Sequence, residues 1–459
     1  MTKTPALSDS NRPGTQAAMF LFATFALGQA VEVNDGNLHP LGLMWIGVAM
    51  VTLLVGVRER ELTRLAKVPL TPIVASLLCL QWVQLLLWGL CWRRLAEAPI
   101  HLFIIPMIAA GVGAGVIFLG NRFHRIGLIM LVAGHTLCGA YVIRHMTQPR
   151  IDVWYFQQAS TEALVHGQNP YDVRYRNIYE PERDFYGPGA VVDGYMTISY
   201  PYPPLTLLVT APGRLLGDVR WAHLAAMELA VALIVLAAPS RTATWAAAML
   251  LLSPRSLMII YCAWTESLVV LALATVVYCA MRAPKHLWMA LGIFLAMKQY
   301  TVLVLPLALL LLQRSAIKSV ATKAFSLAML IALPFVLWNP MSFVRSVVLM
   351  QFNQPFRIES LSFAAMFAVV TGIQIPSLIG FVFAGGALVW CLQKASRSLA
   401  GFAGSTALVL LLFFAFNKQA FCNYYFGVIG ACCGAMAVSA PHRARALREE
   451  SSLPLRIAA

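Results

Sequence analysis

The sequence predicts an all-α, polytopic transmembrane bundle of about 12–14 helices with an amphipathic juxtamembrane helix on its outer face. Three observations lead there. Of 459 residues, 59% are hydrophobic and only 12% charged, proportions far from those of a soluble domain. Apolar runs of about 16–25 residues recur along almost the whole chain, each long enough to cross a hydrocarbon core as a helix. One long polar segment, residues 145–202, interrupts them.

The N-terminus "MTKTPALSDSNRPGTQ" is polar, and the first apolar run shows no small-residue cleavage signature, so it reads as a retained helix. Five spans are expected at about 16–31, 41–56, 69–91, 101–119 and 125–144. The net charge of +15 does not point to nucleic acid, because the basic residues form short clusters between apolar runs rather than a stripe with interleaved aromatics. Positive-inside topology explains the clusters at 57–67, 314–323, 393–398 and 442–448, and with Lys3 and Arg12 it places both termini in the cytoplasm. The loop "VEVNDGNLHP" carries acids without Lys or Arg and is expected outside, whereas "GNRFHR" suits the inner face; Arg93 and Arg94 break this pattern. The nine cysteines mostly lie in apolar runs and show no ligand spacing, so they read as buried thiols.

Residues 145–202 then lie outside and hold seven of the 19 acids and eight of the 14 tyrosines. That composition suits an ordered functional element rather than a linker. Further spans are expected at about 203–217, 221–238, 244–260, 264–281, 287–313 (two short helices), 319–338, 376–392, 401–416 and 421–439. Prolines at 203, 204, 212, 254 and 306 break several of these, and a strict alternation of sides fails between 203 and 313. A second outer element is expected at 340–360. The chain divides into a five-helix region (1–144), a region built around the outer loop (145–440) and a basic tail (441–459).

Within "RIDVWYFQQASTEALVHGQNPYD", residues 152–166 suit an amphipathic helix with Val153, Phe156, Ala159, Ala163 and Leu164 on one face and Gln157, Gln158, Thr161 and Glu162 on the other. Gly167 ends it, and "NPYD" is turn chemistry. Asp152 falls in the first turn, where the helix end favours a carboxylate. On helix physics alone it reads equally as a cap and as a reactive acid.

An acid just past a transmembrane helix, an amphipathic helix, "GQNPYD" and then "YPYPPLTLLVTAP" resemble the first outer loop of C-type (GT-C) integral-membrane glycosyltransferases. The resemblance is greatest to glycosyltransferase family 87, the polyprenyl-phosphate-mannose-dependent mannosyltransferases. "SPRSLMIIYCAWTESLVVLALA", "AMKQYTVLVLPLALLLLQR" and "FNKQAFCNYYFGV" resemble later landmarks, so the similarity covers roughly 145–440. Five spans precede the loop where such enzymes usually have one, which suggests an extended or divergent branch.

The resemblance implies a general base at Asp152, which takes the proton of an acceptor hydroxyl as that hydroxyl attacks the anomeric carbon of a lipid-phosphate sugar. The leaving phosphate needs a cation: Arg357 and Lys418 come first, then Lys298, an intramembrane Lys that reads equally as snorkelling, and Arg176. Glu266 reads either as a contact to sugar hydroxyls or as a first-turn acid, and Glu228 as an interhelical hydrogen-bonding acid. His166 is expected to interact with the end of its own helix. Tyr155, Asn169, Tyr171, Tyr200, Tyr202 and Tyr424 are candidates for the sugar and acceptor site, though interfacial aromatics are common in membrane proteins. Asp172, Glu180 and Asp184 read as a solvated loop among basic residues. No D-x-D pair, Walker loop or Cys/His ligand set is present, so the sequence implies no metal or other cofactor.

The expected partners are therefore a polyprenyl-phosphate sugar, a lipid or glycan acceptor and membrane lipids, without nucleic acid. The expected reaction is inverting hexosyl transfer, mannose first, on the outer face of a bacterial inner membrane. A transporter or flippase of a lipid-linked glycan is the rival, with Glu228, Glu266 and Lys298 as its candidate path.

Overall fold

The computed structural model describes residues 14–58, 69–92, 98–120, 122–179 and 185–439. The basic tail, Lys3, Arg12, Arg93, Arg94, Glu180, Asp184 and most of the 57–67 cluster lie outside the described residues. Everything described is helical apart from loops and one hairpin, Val191–Val192 with Tyr195–Met196, turned by Asp193 and Gly194 at positive φ.

The chain begins with α1 (Thr15–Glu32), α2 (Pro40–Gly56), α3 (Leu70–Trp92), α4 (His101–Val116) and α5 (His124–His145), close to the five expected spans. There follow α6 (Asp152–Val165), α7 (Pro204–Leu215), α8 (Arg220–Ala237), α9 (Arg241–Leu251), α10 (Ser256–Tyr261), α11 (Glu266–Arg282) and α12 (Leu287–Met297). After a 3₁₀ segment at Gln299–Leu310 come α13 (Arg314–Trp338), α14 (Pro340–Phe343), a π-helical stretch at Val344–Leu349, α15 (Met350–Asn353), α16 (Phe363–Thr371), α17 (Leu378–Lys394), α18 (Leu399–Ala415) and α19 (Cys422–Ala437). Six helices, α1, α3, α4, α5, α8 and α13, are long and apolar enough to cross a membrane on length and composition alone. Four shorter apolar segments, 40–56, 299–310, 378–394 and 399–415, accompany them in this multi-pass bundle.

Three expectations need correction. The expected span at 203–217 is not a crossing. At 12 residues, α7 rises only about 18 Å, and it starts and ends on one face of the bundle. Gln158 holds both the Gly217 carbonyl (3.0 Å) and the Val219 N–H (3.1 Å), Arg214 pairs with Glu162, and Thr161 meets Thr210 at 3.2 Å, so α7 lies alongside α6. It is a second short helix packed beside α6 rather than a span. The span expected at 244–260 is two helices, because Pro254 and Arg255, at φ 67°, break it. The piece after Lys298 is a 3₁₀ segment, whose rise of about 2 Å per residue lets 12 residues reach about 24 Å. The short helix α16 has no counterpart among the expected spans.

Arg220 fixes α8 to the same face. It is 1% exposed and donates to the carbonyls of Ile143 (3.0 Å) and Met146 (2.9 Å) while holding Asp218, so the end of α5 and the start of α8 form one junction. At the other end of the bundle, Arg282 of α11 donates to the last carbonyl of α8 at 2.9 Å. Glu228 does link helices, accepting or sharing a proton with His135 of α5 at 2.7 Å. His166 lies against the Glu162 carbonyl of its own helix at 3.0 Å. All nine cysteines are free thiols, seven buried, with Cys79 and Cys91 exposed on α3 rather than buried as expected.

The N-terminal helices share one hydrophobic core with the rest, α1 packing between α2 and α19. Their first loop braces the segments that carry the cations. Leu38 N–H donates to the Glu359 carbonyl at 2.8 Å, Asn37 bridges Ser360, and Arg255 pairs with Glu32 and Asp35. Gly36, at φ 74°, sits so near α19 that a Cβ would lie 2.8 Å from the Cys422 Cβ and 2.9 Å from its backbone. Gly36→Ala is therefore expected to destabilise the folded protein by about 1–3 kcal/mol, read as a lower unfolding temperature in detergent.

Candidate active site

Asp152 is the first residue of α6, held where the extended Ile151 turns into the helix. Its side chain is partly buried. Oδ2 accepts from the Tyr186 hydroxyl at 3.0 Å, Oδ1 accepts from the Val153 N–H at 2.8 Å, and its own N–H donates to the Tyr179 hydroxyl at 3.2 Å. Removal from water pushes the carboxyl above the ordinary carboxylate range, while the Tyr186 and Val153 hydrogen bonds and the Arg357 charge pull partly back. The two phenols are pushed up as well, first by burial and then by the Asp152 charge, so they stay protonated and Tyr186 remains a donor.

Half of the expected polar face of α6 is not in water, while Gln158 and Glu162 stay partly exposed. Gln157 and Thr161 are both fully buried, and Gln157 joins His223 of α8 (2.9 Å) to the Ala263 carbonyl (2.5 Å), with His223 passing on to Ser267 at 2.7 Å. Each polar atom in this chain has a partner, which is what allows an amphipathic helix to be packed on both sides. The junction fixes α6 against the start of α11, where Glu266 stands.

Glu266 is fully buried and ion-paired with Lys298, whose extended backbone between α12 and the 3₁₀ segment turns its side chain inward. The Lys298 ammonium lies 5.3 Å from the ring centroids of Tyr202, Tyr300 and Tyr424, a three-sided aromatic cage. Because Glu266 directly precedes Ser267, the Gln157–His223–Ser267 chain ties the helix that Asp152 opens to the base of this cage.

Arg357 forms another wall. Its guanidinium is 4.3 Å from the Phe185 ring and 5.2 Å from Phe421, its Nε donates to Glu359 at 2.6 Å, and its backbone N–H donates to the Lys418 carbonyl at 3.1 Å. Lys418 itself is turned to the backbone, donating to the carbonyls of Phe352 (3.0 Å) and Gln354 (2.5 Å), and burial lowers its pKa. It ties the 340–360 element to the loop before α19.

Of the sequence-derived candidates, the structure brings together Asp152, Arg357, Glu266, Lys298, Tyr202 and Tyr424. Tyr155, Tyr171 and Tyr200 lie instead in an aromatic cluster with Phe156, Tyr175 and Phe343 that supports α6. There Tyr171 donates to the Tyr202 carbonyl at 2.8 Å and Tyr200 meets Thr206 at 2.8 Å. Asn169 closes its own turn, accepting from the Tyr171 N–H at 2.9 Å and donating to Asp172 at 3.0 Å. Tyr179, Phe185, Tyr186 and Tyr300 were not anticipated. Tyr300 stands two residues after Lys298, a spacing that could have suggested it, whereas nothing in the sequence separates Tyr186 from the other tyrosines of its loop. Among the described residues no group of three or more His, Cys, Asp or Glu side chains is placed to hold a metal ion.

No family model and no curated protein matches this chain. Among solved structures it resembles the crystal structure of ArnT from Cupriavidus metallidurans bound to undecaprenyl phosphate, with a TM-score of 0.46 and 17% sequence identity over 70% of this chain. The chain spans 60% of the length of that protein.

Proposed function

We propose that the protein is a GT-C-type membrane glycosyltransferase that moves a hexose, mannose first, from a polyprenyl phosphate to a lipid or glycan acceptor at the outer face of a bacterial inner membrane. The observation that carries this reading is Asp152 at the head of α6, joined through Tyr179 and Phe185 to Arg357 and, by way of Gln157, His223 and Ser267, to the segment that holds the Glu266–Lys298 pair and its tyrosine cage. An acid, two cations and an aromatic wall at the mouth of a lipid-embedded bundle suit a substrate with a charged phosphate, a sugar and an apolar tail.

In the proposed reaction, Asp152 accepts the acceptor hydroxyl's proton as that oxygen attacks the anomeric carbon, and the bond from that carbon to the phosphate oxygen breaks. The single displacement inverts the anomeric centre. Arg357, with Lys298 as a further cation, offsets the negative charge gathering on the leaving phosphate, and Lys418 supports the loop that carries Arg357. In this reading Glu266 and Tyr424 contact the sugar hydroxyls. The test is transfer by purified protein from a short-chain polyprenyl-phosphate mannose to a membrane-lipid extract. A glycosylated lipid or glycan is expected; no product with this or any other lipid-phosphate sugar would sink the reading.

The protonation of Asp152 gives a second check. A base works only when ionised, so activity should rise with pH through a value above the ordinary carboxylate pKa of about 3.9. The Tyr186 hydrogen bond lowers that value, so Tyr186→Phe is expected to move the acidic limb of the pH–rate profile upward while leaving the plateau within about tenfold. An acidic limb unchanged or shifted downward would remove Asp152 from the titration.

A further inference from the structure

A second site, sharing no residue with the first, opens beside the hairpin on the same face. A cavity of about 230 Å³ is lined by Arg174, Arg345 and Tyr195 together with the chain from Met196 to Ser199. The Arg174 guanidinium lies 5.2 Å from the Tyr195 ring, which holds its fork in place. Arg345 comes from the π-helical stretch, which is fixed by the Ser346 hydroxyl accepting from the Ser199 N–H at 2.9 Å. Among the described residues neither arginine has an acid partner. Two guanidinium groups facing one small cavity favour an anion that can accept paired hydrogen bonds.

The surroundings say which anion. The segment from α14 to α15 exposes Met341, Val344, Val348 and Phe352, spaced three or four residues apart along one side. This stripe continues directly from the exposed Leu337 and Trp338 at the end of α13, one of the spans suited to the membrane. An apolar stripe leading from a transmembrane helix, with an arginine at its edge, is the arrangement of a surface helix seated at the headgroup level. We propose that Arg174 and Arg345 bind the phosphate of an anionic phospholipid whose acyl chains lie against the Met341–Phe352 stripe.

The proposal stands independently of the transferase reading and needs no donor substrate to test. Full-length protein in detergent would be titrated with dioleoyl-phosphatidylglycerol and the first bound lipid followed by native mass spectrometry, with dioleoyl-phosphatidylcholine and inorganic phosphate as the comparison arms. Arg174→Ala/Arg345→Ala is expected to weaken phosphatidylglycerol binding about tenfold or more. Arg176→Ala, which removes an exposed arginine outside the cavity lining, is expected to change it much less. Arg174→Lys/Arg345→Lys keeps the charge and loses the paired geometry, so it should lose most of the tenfold. Wild-type affinity in the lysine variant would reduce the site to general surface charge and overturn the proposal. Inorganic phosphate binding as tightly as the lipid would overturn the lipid assignment, and equal loss in Arg176→Ala would overturn the cavity.

Discussion

Asp152→Asn is expected to lower transfer from a polyprenyl-phosphate sugar by about 10²–10⁴-fold, the usual contribution of a positioned general base. The amide keeps the shape of the carboxyl: its oxygen can still accept from the Val153 N–H, and its NH2, in the place of Oδ2, can donate to the Tyr186 hydroxyl oxygen, so the head of α6 should fold unchanged. What it loses is the ability to take a proton. The loss should therefore fall on kcat, with the donor's KM moving little, because the carboxylate acts on the acceptor hydroxyl rather than on the phosphate. Wild-type kcat in a variant that elutes and unfolds as the parent does would rule out Asp152 as the base.

Lys298→Met has the other large effect, on stability. Glu266 is fully buried and Lys298 nearly so, and removing one partner leaves the other charge in a low-dielectric interior without compensation. The expected cost is about 3–5 kcal/mol, enough to lower the unfolding temperature sharply or prevent isolation of folded protein. Glu266→Gln/Lys298→Met removes both charges and fits the same space, so it should regain most of that stability. A double variant no more stable than Lys298→Met alone would show that the pair is not what holds this region. If the folded double variant also loses transfer, the pair serves the substrate as well as the fold.

The contrast between these residues shows what the sequence could disclose. Spans α1 to α5 are legible because each is a long apolar run bounded by Pro, Gly or charge, and membrane thickness fixes its length. The piece at 204–215 is on average as apolar as α5, and only its shortness and its contacts with Gln158 and Thr161 show that it lies flat. Asp152 stands out because an acid follows a span and opens an amphipathic helix. Glu266 and Lys298 stand out because charge in an apolar run is costly. Their mutual pairing does not, since 32 residues separate them and the break at Lys298 depends on tertiary packing. The least legible part is the burial of Gln157 and Thr161: amphipathic spacing assigns them to solvent, and only their partners on neighbouring helices reverse it.

The packing of α1 has a consequence for how the chain is made. This helix is synthesised early, yet a main partner is α19, near the other end of the sequence, and residues such as Ala17, Ala23, Ala26 and Ala30 are buried only in the assembled bundle. Contacts so distant in sequence form late, after the loop closure they require. The same closure brings Gly36 against Cys422 and the first loop against Glu359 and Ser360. Arg357 and Lys418 thus gain their support only once α19 is inserted, so a nascent chain in the membrane holds a complete Asp152 helix before it holds a complete site.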